Sequence, residues 1–293
     1  MLAGRGSEPR RDRRVVRITS TVPEFVRLRD VTPGEARVKA WRDQYEAAHR
    51  SAFQTYYRAW GDPKRRAESA AEFDHLVPLV QDREVRAKAL IDHAAQQLDI
   101  LGLAGDRPWH AVLLVGVGSS NGWVATLDGF RTLFLALELL PEPPFDAVLV
   151  AHEALHAVEE GEVWDETVGA NLWREGAAVA LSRRMRPGIS DSGYLWFDES
   201  HSDWVEACAT RRVELIEHVR TNLHNGDAAV IRDIFSMPQG STIPHRCGYW
   251  VGDQLITTLL DQGCEPRELL SAPYGSAMRF AAQGLDELIA RVP

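Results

Sequence analysis

Two histidines and a glutamate stand together in the segment Ala-His-Glu-Ala-Leu-His, where His152 and His156 are four residues apart and Glu153 follows the first of them. Side chains four residues apart lie on one face of a helix, so two imidazoles can bind the same metal ion. This is the HExxH pattern, in which the metal is zinc and the glutamate is a general base. The pattern predicts a hydrolytic zinc site that uses His152, Glu153 and His156.

The residues around this pattern are apolar. Every residue from 147 to 157 outside the three pattern positions is valine, leucine or alanine. A helix of this composition is expected to be buried, and burying the carboxylate of Glu153 without a partner would cost several kcal/mol. A site that requires these polar groups explains them better than a satisfied core does.

A hydrolytic zinc ion needs a third protein ligand and one open position. The longer pattern HExxHxxGxxH is excluded, because Glu159 and Glu162 stand where it has glycine and the last histidine. Another carboxylate, Glu175, follows His156 after eighteen residues and lies in an apolar helical stripe. We therefore predict Glu175 as the third ligand, and we expect the adjacent Gly176 to let its helix pack closely against the HExxH helix.

The spacing HExxH, eighteen residues, then Glu-Gly resembles that of the gluzincin metallopeptidases. The phrase Leu-Trp-Arg-Glu-Gly-Ala, which contains Glu175, is similar to the second-helix motif of the M1 aminopeptidases. The segment from His245 to Gly252 also resembles the GYxxG segment of small zinc-dependent proteases of the DUF2268 type. The resemblance spans residues 111–260. No counterpart of the M1 amine-recognition segment Gly-Ala-Met-Glu-Asn occurs, so aminopeptidase specificity is not implied.

The resemblance implies peptide-bond hydrolysis by a metal-activated water, with one Zn²⁺ per chain and with Glu153 moving protons between water and the leaving amine. A second electrophile usually stabilises the oxyanion in such sites. The GYxxG match makes Tyr249 the first candidate for this role. His245 is the second candidate and His201 the third, since an imidazole could do the same.

The resemblance also implies that an extended peptide binds along the edge strand before the zinc helix. Two segments are candidates for that strand, residues 122–127 and residues 131–138. The sequence alone does not choose between them.

The elements that must position these residues are mostly helical. Three strand candidates lie before the HExxH helix, in the run that starts at His110 and on either side of Asp128-Gly129, a dipeptide that favours a tight hairpin. The helices before them are expected over residues 34–60, 65–80 and 83–101. We predict an α+β fold, a mostly helical zincin-like domain with a small antiparallel sheet. Its divisions are a basic flexible arm over residues 1–20, a helical extension over 21–105 and the catalytic domain over 106–293.

Charge and hydropathy limit the partners of the chain. Its 293 residues carry a formal net charge of -9, which opposes broad binding to nucleic acid or anionic membranes. No apolar run is long enough for a membrane span or a secretory signal. We therefore expect a cytoplasmic protein without membrane association and without a nucleic-acid partner. A peptide or protein substrate is what the gluzincin resemblance implies.

Two alternatives stay open. A zinc-stabilised binding or regulatory protein could keep the same residues without turnover. Hydrolysis of an amide that is not a peptide is also possible, because zinc motifs specify the chemistry better than the substrate.

Overall fold

Helices dominate the fold. The computed structural model describes residues 16–104, 108–159 and 164–291. The strands are β1 (Arg17–Ser20), β2 (His110–Leu114), β3 (Gly122–Leu127) and β4 (Phe130–Ala136). The helices before the HExxH segment are α1 (Val22–Arg27), α2 (Glu35–Ala40), α3 (Arg50–Ala59), α4 (Arg66–Ala71) and α5 (Phe73–Ile100). Those from that segment onward are α6 (Phe145–Val158), α7 (Val168–Met185), α8 (Asp191–Trp196), α9 (Ser202–Thr210), α10 (Arg212–Thr221), α11 (Ala228–Phe235), α12 (Cys247–Asp261), α13 (Pro266–Ser271) and α14 (Tyr274–Ala290).

The four strands form one mixed sheet in the order β1-β2-β4-β3. Strands β1 and β2 are parallel, β2 and β4 are parallel, and only β3 and β4 are antiparallel. The predicted α+β class is therefore correct, but the prediction of an antiparallel sheet is wrong. The chain passes from β2 to the outer position of β3 and returns through β4, so β4 enters beside β2 in the same direction.

The turn between β3 and β4 follows the sequence prediction. Asp128 has a φ of 50° and Gly129 a φ of 85°, the pair of positive values that a type I′ hairpin requires. This two-residue turn sets the register of the hairpin, in which Leu127 lies opposite Phe130. Residues 132–136 of β4 are buried on both faces of the sheet. Strand β3 is left at the sheet edge. This resolves the two candidates for the edge strand in favour of residues 122–127.

The predicted arm over residues 1–20 extends too far. Residues 17–20 form β1, whose backbone hydrogen bonds come from parallel pairing with β2. Residues 1–15 lie outside the described part of the chain. The proposed division at residue 105 stays a prediction, although β1 brings the predicted arm and the predicted catalytic domain into one sheet.

The first third of the chain is mostly helical, as predicted, but its helices begin and end at other residues than the sequence predicted. Residues 35–59 form α2, a π-helical stretch over Trp41–Glu46 and α3. Helix α5 runs through the expected break at residues 81–82 and also contains Pro78. Pro78 is the sixth residue of α5, and buried side chains along the rest of the helix, from Val80 to Leu98, hold it against the core.

Helix α6 carries the HExxH pattern and is buried, as predicted. It packs against β3 and β4 and against helices α5 and α7. From Val148 to Leu155 all eight residues are buried, including His152 and Glu153. Packing on several sides fixes the orientation of the two histidines before any ligand binds.

Two glycines set the distance between α7 and α12. A Cβ at Gly176 would lie 2.5 Å from the carbonyl oxygen of Gly252, and a Cβ at Gly252 would lie 2.7 Å from that of Leu172. The prediction that Gly176 packs against the HExxH helix is therefore wrong, because its close neighbour is α12. Since Tyr249 is three residues before Gly252, it shares that helix face and is directed towards Glu175.

Among the described residues, no helix combines the length and apolar character that crossing a lipid bilayer would require.

Candidate metal centre

Three ligand atoms from two helices converge. His152 Nε2 lies 3.2 Å from His156 Nε2 and 3.2 Å from Glu175 Oε2, and His156 Nε2 lies 3.5 Å from the same carboxylate oxygen. Helix α6 supplies the histidines and α7 supplies the carboxylate. The fold thus brings together the three residues that the sequence predicts as ligands.

The spacing of these atoms fits a tetrahedral metal ion. Ligands at 2.0–2.1 Å from a tetrahedral Zn²⁺ are separated from one another by about 3.3 Å. The three observed separations all lie within a few tenths of an ångström of that value. Two imidazoles and one carboxylate are also the ligand set of one class of catalytic zinc sites. The residues present therefore fit a divalent cation of this kind.

Glu159 supports this centre and was not identified from the sequence as a site residue. Its Oε1 lies 2.9 Å from His156 Nδ1, the ring nitrogen that faces away from the cluster. A carboxylate on this nitrogen fixes the tautomer and orients the ring for metal binding. The available signal was its position three residues after His156, next to the C-terminal end of α6. Its Oε2 also lies 3.4 Å from Arg131 Nη2 and 4.0 Å from Arg174 Nε.

The ionisation of the cluster follows from burial and mutual attraction. Burial alone would raise the pKa of Glu175, but the imidazoles of His156 and His152 outweigh it and lower the pKa of this carboxylate. Burial alone would lower the pKa of His156, but the carboxylates of Glu175 and Glu159 raise it well above its ordinary value. Both pKa shifts favour a charged His156 imidazole beside a charged Glu175 carboxylate.

Glu153 presents a carboxylate to the same cleft. Its side chain is buried, and burial raises its pKa against the opposing effect of His152 and His156. None of the hydrogen bonds among the described residues involves its carboxylate. A Cβ at Gly122 would lie 3.1 Å from Glu153 Cγ, so the first residue of β3 is in contact with this side chain. A carboxylate that has no such hydrogen bond and whose pKa is raised from its ordinary value is a better proton acceptor, and it can also return the proton.

Tyr249 lines the cleft, whereas His245 and His201 are not among its described lining residues. Burial and the carboxylate of Glu175 raise the pKa of Tyr249, against the opposing effect of Arg246, so its phenol remains a hydrogen-bond donor. The His201 ring stacks on Trp196 and its Nδ1 lies 2.7 Å from Asp198 Oδ1. Tyr249 is therefore the candidate whose position suits an oxyanion donor.

Phe197 closes one side of the cluster and has no signal in the sequence. Its ring packs edge-on against His152 with 5.7 Å between centroids. It has a φ of 61°, an uncommon value for a bulky residue. Strained backbone of this kind is concentrated at functional sites, where surrounding packing stabilises it.

The cluster lies in a cleft of about 1750 Å³. That volume exceeds the range of roughly 300–1,000 Å³ found for small-molecule pockets. Four large apolar side chains that are exposed on the surface also line it. They are Trp60, Phe130, Leu139 and Met237.

Comparison of the chain with protein-family models, with curated proteins and with solved structures finds no match.

Proposed function

We propose that the protein is a zinc-dependent metallopeptidase of the gluzincin type, with His152, His156 and Glu175 as ligands and Glu153 as general base. The observation that carries this proposal is the spacing of three ligand atoms at the edge length of a zinc tetrahedron, beside a free carboxylate. When bound, zinc supplies Lewis acidity, which makes water acidic near neutral pH and polarises a carbonyl group.

Three other residues of the chain then have separate roles in the reaction. Glu153 accepts a proton from water and delivers it to the leaving amine, a role that its raised pKa favours. Tyr249 donates a hydrogen bond to the developing oxyanion from its phenol. Phe197 covers His152 and limits access of bulk water to that side of the cluster.

A peptide is the substrate that best suits the cleft. Strand β3 is at the sheet edge, and its residues 122–124 and 126 line the cleft. An edge strand can pair with an extended peptide through backbone hydrogen bonds that tolerate many sequences. The exposed apolar residues around the cleft would contact the peptide side chains. An amide of a small metabolite would leave most of this surface unused.

Replacing Glu153 by glutamine tests the proposed hydrolysis. We expect the wild type to cleave a mixed peptide library in a chelator-sensitive manner, and Glu153→Gln to retain its metal but lose about 10²- to 10⁴-fold in kcat, as for other general bases. Glu166→Gln is a matched control, because Glu166 lines the same cleft outside the cluster. Mass spectrometry of the products gives the rates.

Equal turnover by Glu153→Gln would remove Glu153 from the mechanism. Metal binding without turnover of any library peptide would favour the alternative, a zinc-stabilised binding or regulatory protein on the same scaffold.

A further inference from the structure

Arg246 is fixed in an unusual conformation at the edge of the cleft. It precedes α12 with a φ of 59°, in the left-handed region that non-glycine residues seldom occupy. Its amide nitrogen donates to the Ser236 carbonyl at 3.1 Å, and its own carbonyl accepts from the Tyr249 amide at 3.0 Å. Backbone bonds on both sides therefore hold the residue in place and limit where its side chain can lie.

The guanidinium group of Arg246 lies over two aromatic rings. Its Cζ is 4.5 Å from the ring centroid of Trp196 and 4.4 Å from that of Tyr249. Both rings line the cleft. The Arg246 side chain is also within hydrogen-bonding range of the Tyr249 phenol. Stacking orients the guanidinium, and its remaining N–H donors are directed outward in the plane of the group.

Arg246 differs in its ion pairing from the other two arginines that line the cleft. Arg131 and Arg174 both lie within ion-pair distance of Glu159. None of the salt bridges found in the described part of the chain includes Arg246. An unpaired guanidinium at the cleft presents a fork of donors that matches a carboxylate.

The two rings that contact the Arg246 guanidinium show that it lies near the candidate metal centre. Tyr249, on which it stacks, is near enough to Glu175 and Glu153 for their charges to raise its pKa. Trp196, the other stacked ring, precedes Phe197, which packs against His152. A carboxylate held by Arg246 would therefore lie one side chain away from the cluster.

We propose that Arg246 binds a carboxylate of the substrate and so selects peptides that carry a negative charge next to the cleaved bond. The inference rests on the proposed peptidase function and adds a substrate class to it. The carboxylate could belong to the C-terminus of the peptide or to an aspartate or glutamate side chain. The recognition chemistry is the same for both sources.

Matched peptide pools separate these sources. One pair of mixed-sequence pools differs only in a free or amidated C-terminus, and a second pair replaces every aspartate and glutamate by asparagine and glutamine. We expect wild-type kcat/KM to favour the charged pool of at least one pair by about 10- to 100-fold, the range of a charge-assisted hydrogen bond. In Arg246→Gln that ratio should fall close to one, and in Arg246→Lys it should be intermediate, since lysine keeps the charge but not the fork.

The ratio between two pools is measured on one enzyme preparation, so a loss of folded or active protein cancels. Arg174→Gln is the matched control, and it should keep the wild-type ratio because Arg174 is paired with Glu159. A ratio near one in the wild type, or a preference that survives in Arg246→Gln, would overturn the proposal.

Binding without turnover distinguishes failure of this inference from failure of the proposed function. Immobilised Glu153→Gln protein is incubated with each pool, and the retained peptides are quantified by mass spectrometry. Preferential retention of charged peptides that is lost in Glu153→Gln/Arg246→Gln supports carboxylate recognition even if the wild type cleaves nothing. Equal retention of charged and neutral pools by Glu153→Gln contradicts it.

Discussion

Glu159 links the candidate metal centre to two arginines of the cleft. It contacts His156 Nδ1 at 2.9 Å while Arg131 and Arg174 neutralise its second oxygen. Arg131 also donates to the backbone carbonyl of His156. These contacts hold the His156 ring with Nε2 directed at the cluster, so a residue that does not touch the metal position still determines how well a metal fits.

Glu159→Gln is therefore expected to weaken zinc binding about 10- to 100-fold, the usual effect of removing an outer partner of a ligating histidine. Competition with a chromogenic chelator measures the affinity. Glu166→Gln, a substitution of the same kind elsewhere in the cleft, should leave it unchanged. Equal affinities for Glu159→Gln and the wild type would show that this contact does not support the centre.

Metal affinity should also depend on pH. The two carboxylates raise the pKa of His156, and a protonated imidazole cannot bind a cation, so metal must displace a proton at neutral pH. Apparent affinity is expected to fall by about tenfold per pH unit for each displaced proton, already between pH 8 and pH 7. With an ordinary histidine pKa of about 6.5 it would be flat in that range. A flat chelator-competition profile above pH 7 would contradict the raised pKa.

At the scale of elements, the contact between α7 and α12 determines whether Glu175 and Tyr249 face one another. Gly176 lies beside Glu175 and touches Gly252, which lies one turn after Tyr249. The two glycines thus connect the second-helix motif and the GYxxG segment, which the sequence presents as separate patterns. Sequence reasoning identified both segments, but it could not pair them, because nothing in one sequence states which helices cross.

Gly252→Ala should destabilise the fold by about 1–3 kcal/mol, the usual cost of overpacking, since its Cβ would lie 2.7 Å from the Leu172 carbonyl oxygen. It should also reduce peptide hydrolysis by separating Tyr249 from the cluster. Gly275→Ala is the matched control in another helix, where nothing lies within 4 Å of the added Cβ. Urea denaturation measures both variants. Equal urea midpoints for Gly252→Ala and the wild type would show that α7 and α12 can move apart without a loss of stability.

At the scale of the whole molecule, residues of the N-terminal helical region bind the loop beside the candidate metal centre through hydrogen bonds. The Tyr45 hydroxyl donates to the Val115 carbonyl at 2.9 Å and accepts from the Val115 amide at 2.8 Å, and Tyr56 accepts from the Val117 amide at 3.0 Å. This loop continues into residues 119–122, which line the cleft. The helical extension is therefore structurally part of the site, although no motif within it resembles the gluzincins.

Local patterns predicted what depends on neighbours in the chain. These include the buried HExxH helix and the Asp128-Gly129 hairpin. The approach of Glu175 to the two histidines was expected from its spacing and from the gluzincin resemblance. Contacts between segments that are distant in sequence could not be predicted in this way. The parallel pairing of β1 and the approach of Arg246 to Trp196 both join segments distant in sequence, and their specificity arises from packing rather than from a repeated residue pattern.

The metal content of the purified protein tests the central claim most directly. Elemental mass spectrometry after extensive dialysis compares the wild type with Glu175→Ala and with the control Glu166→Ala. We predict about one zinc ion per chain in the wild type and in the control, and a loss of most of it in Glu175→Ala, where two imidazoles remain. No zinc in the wild type even after reconstitution, or equal zinc in Glu175→Ala, would contradict the three-ligand centre.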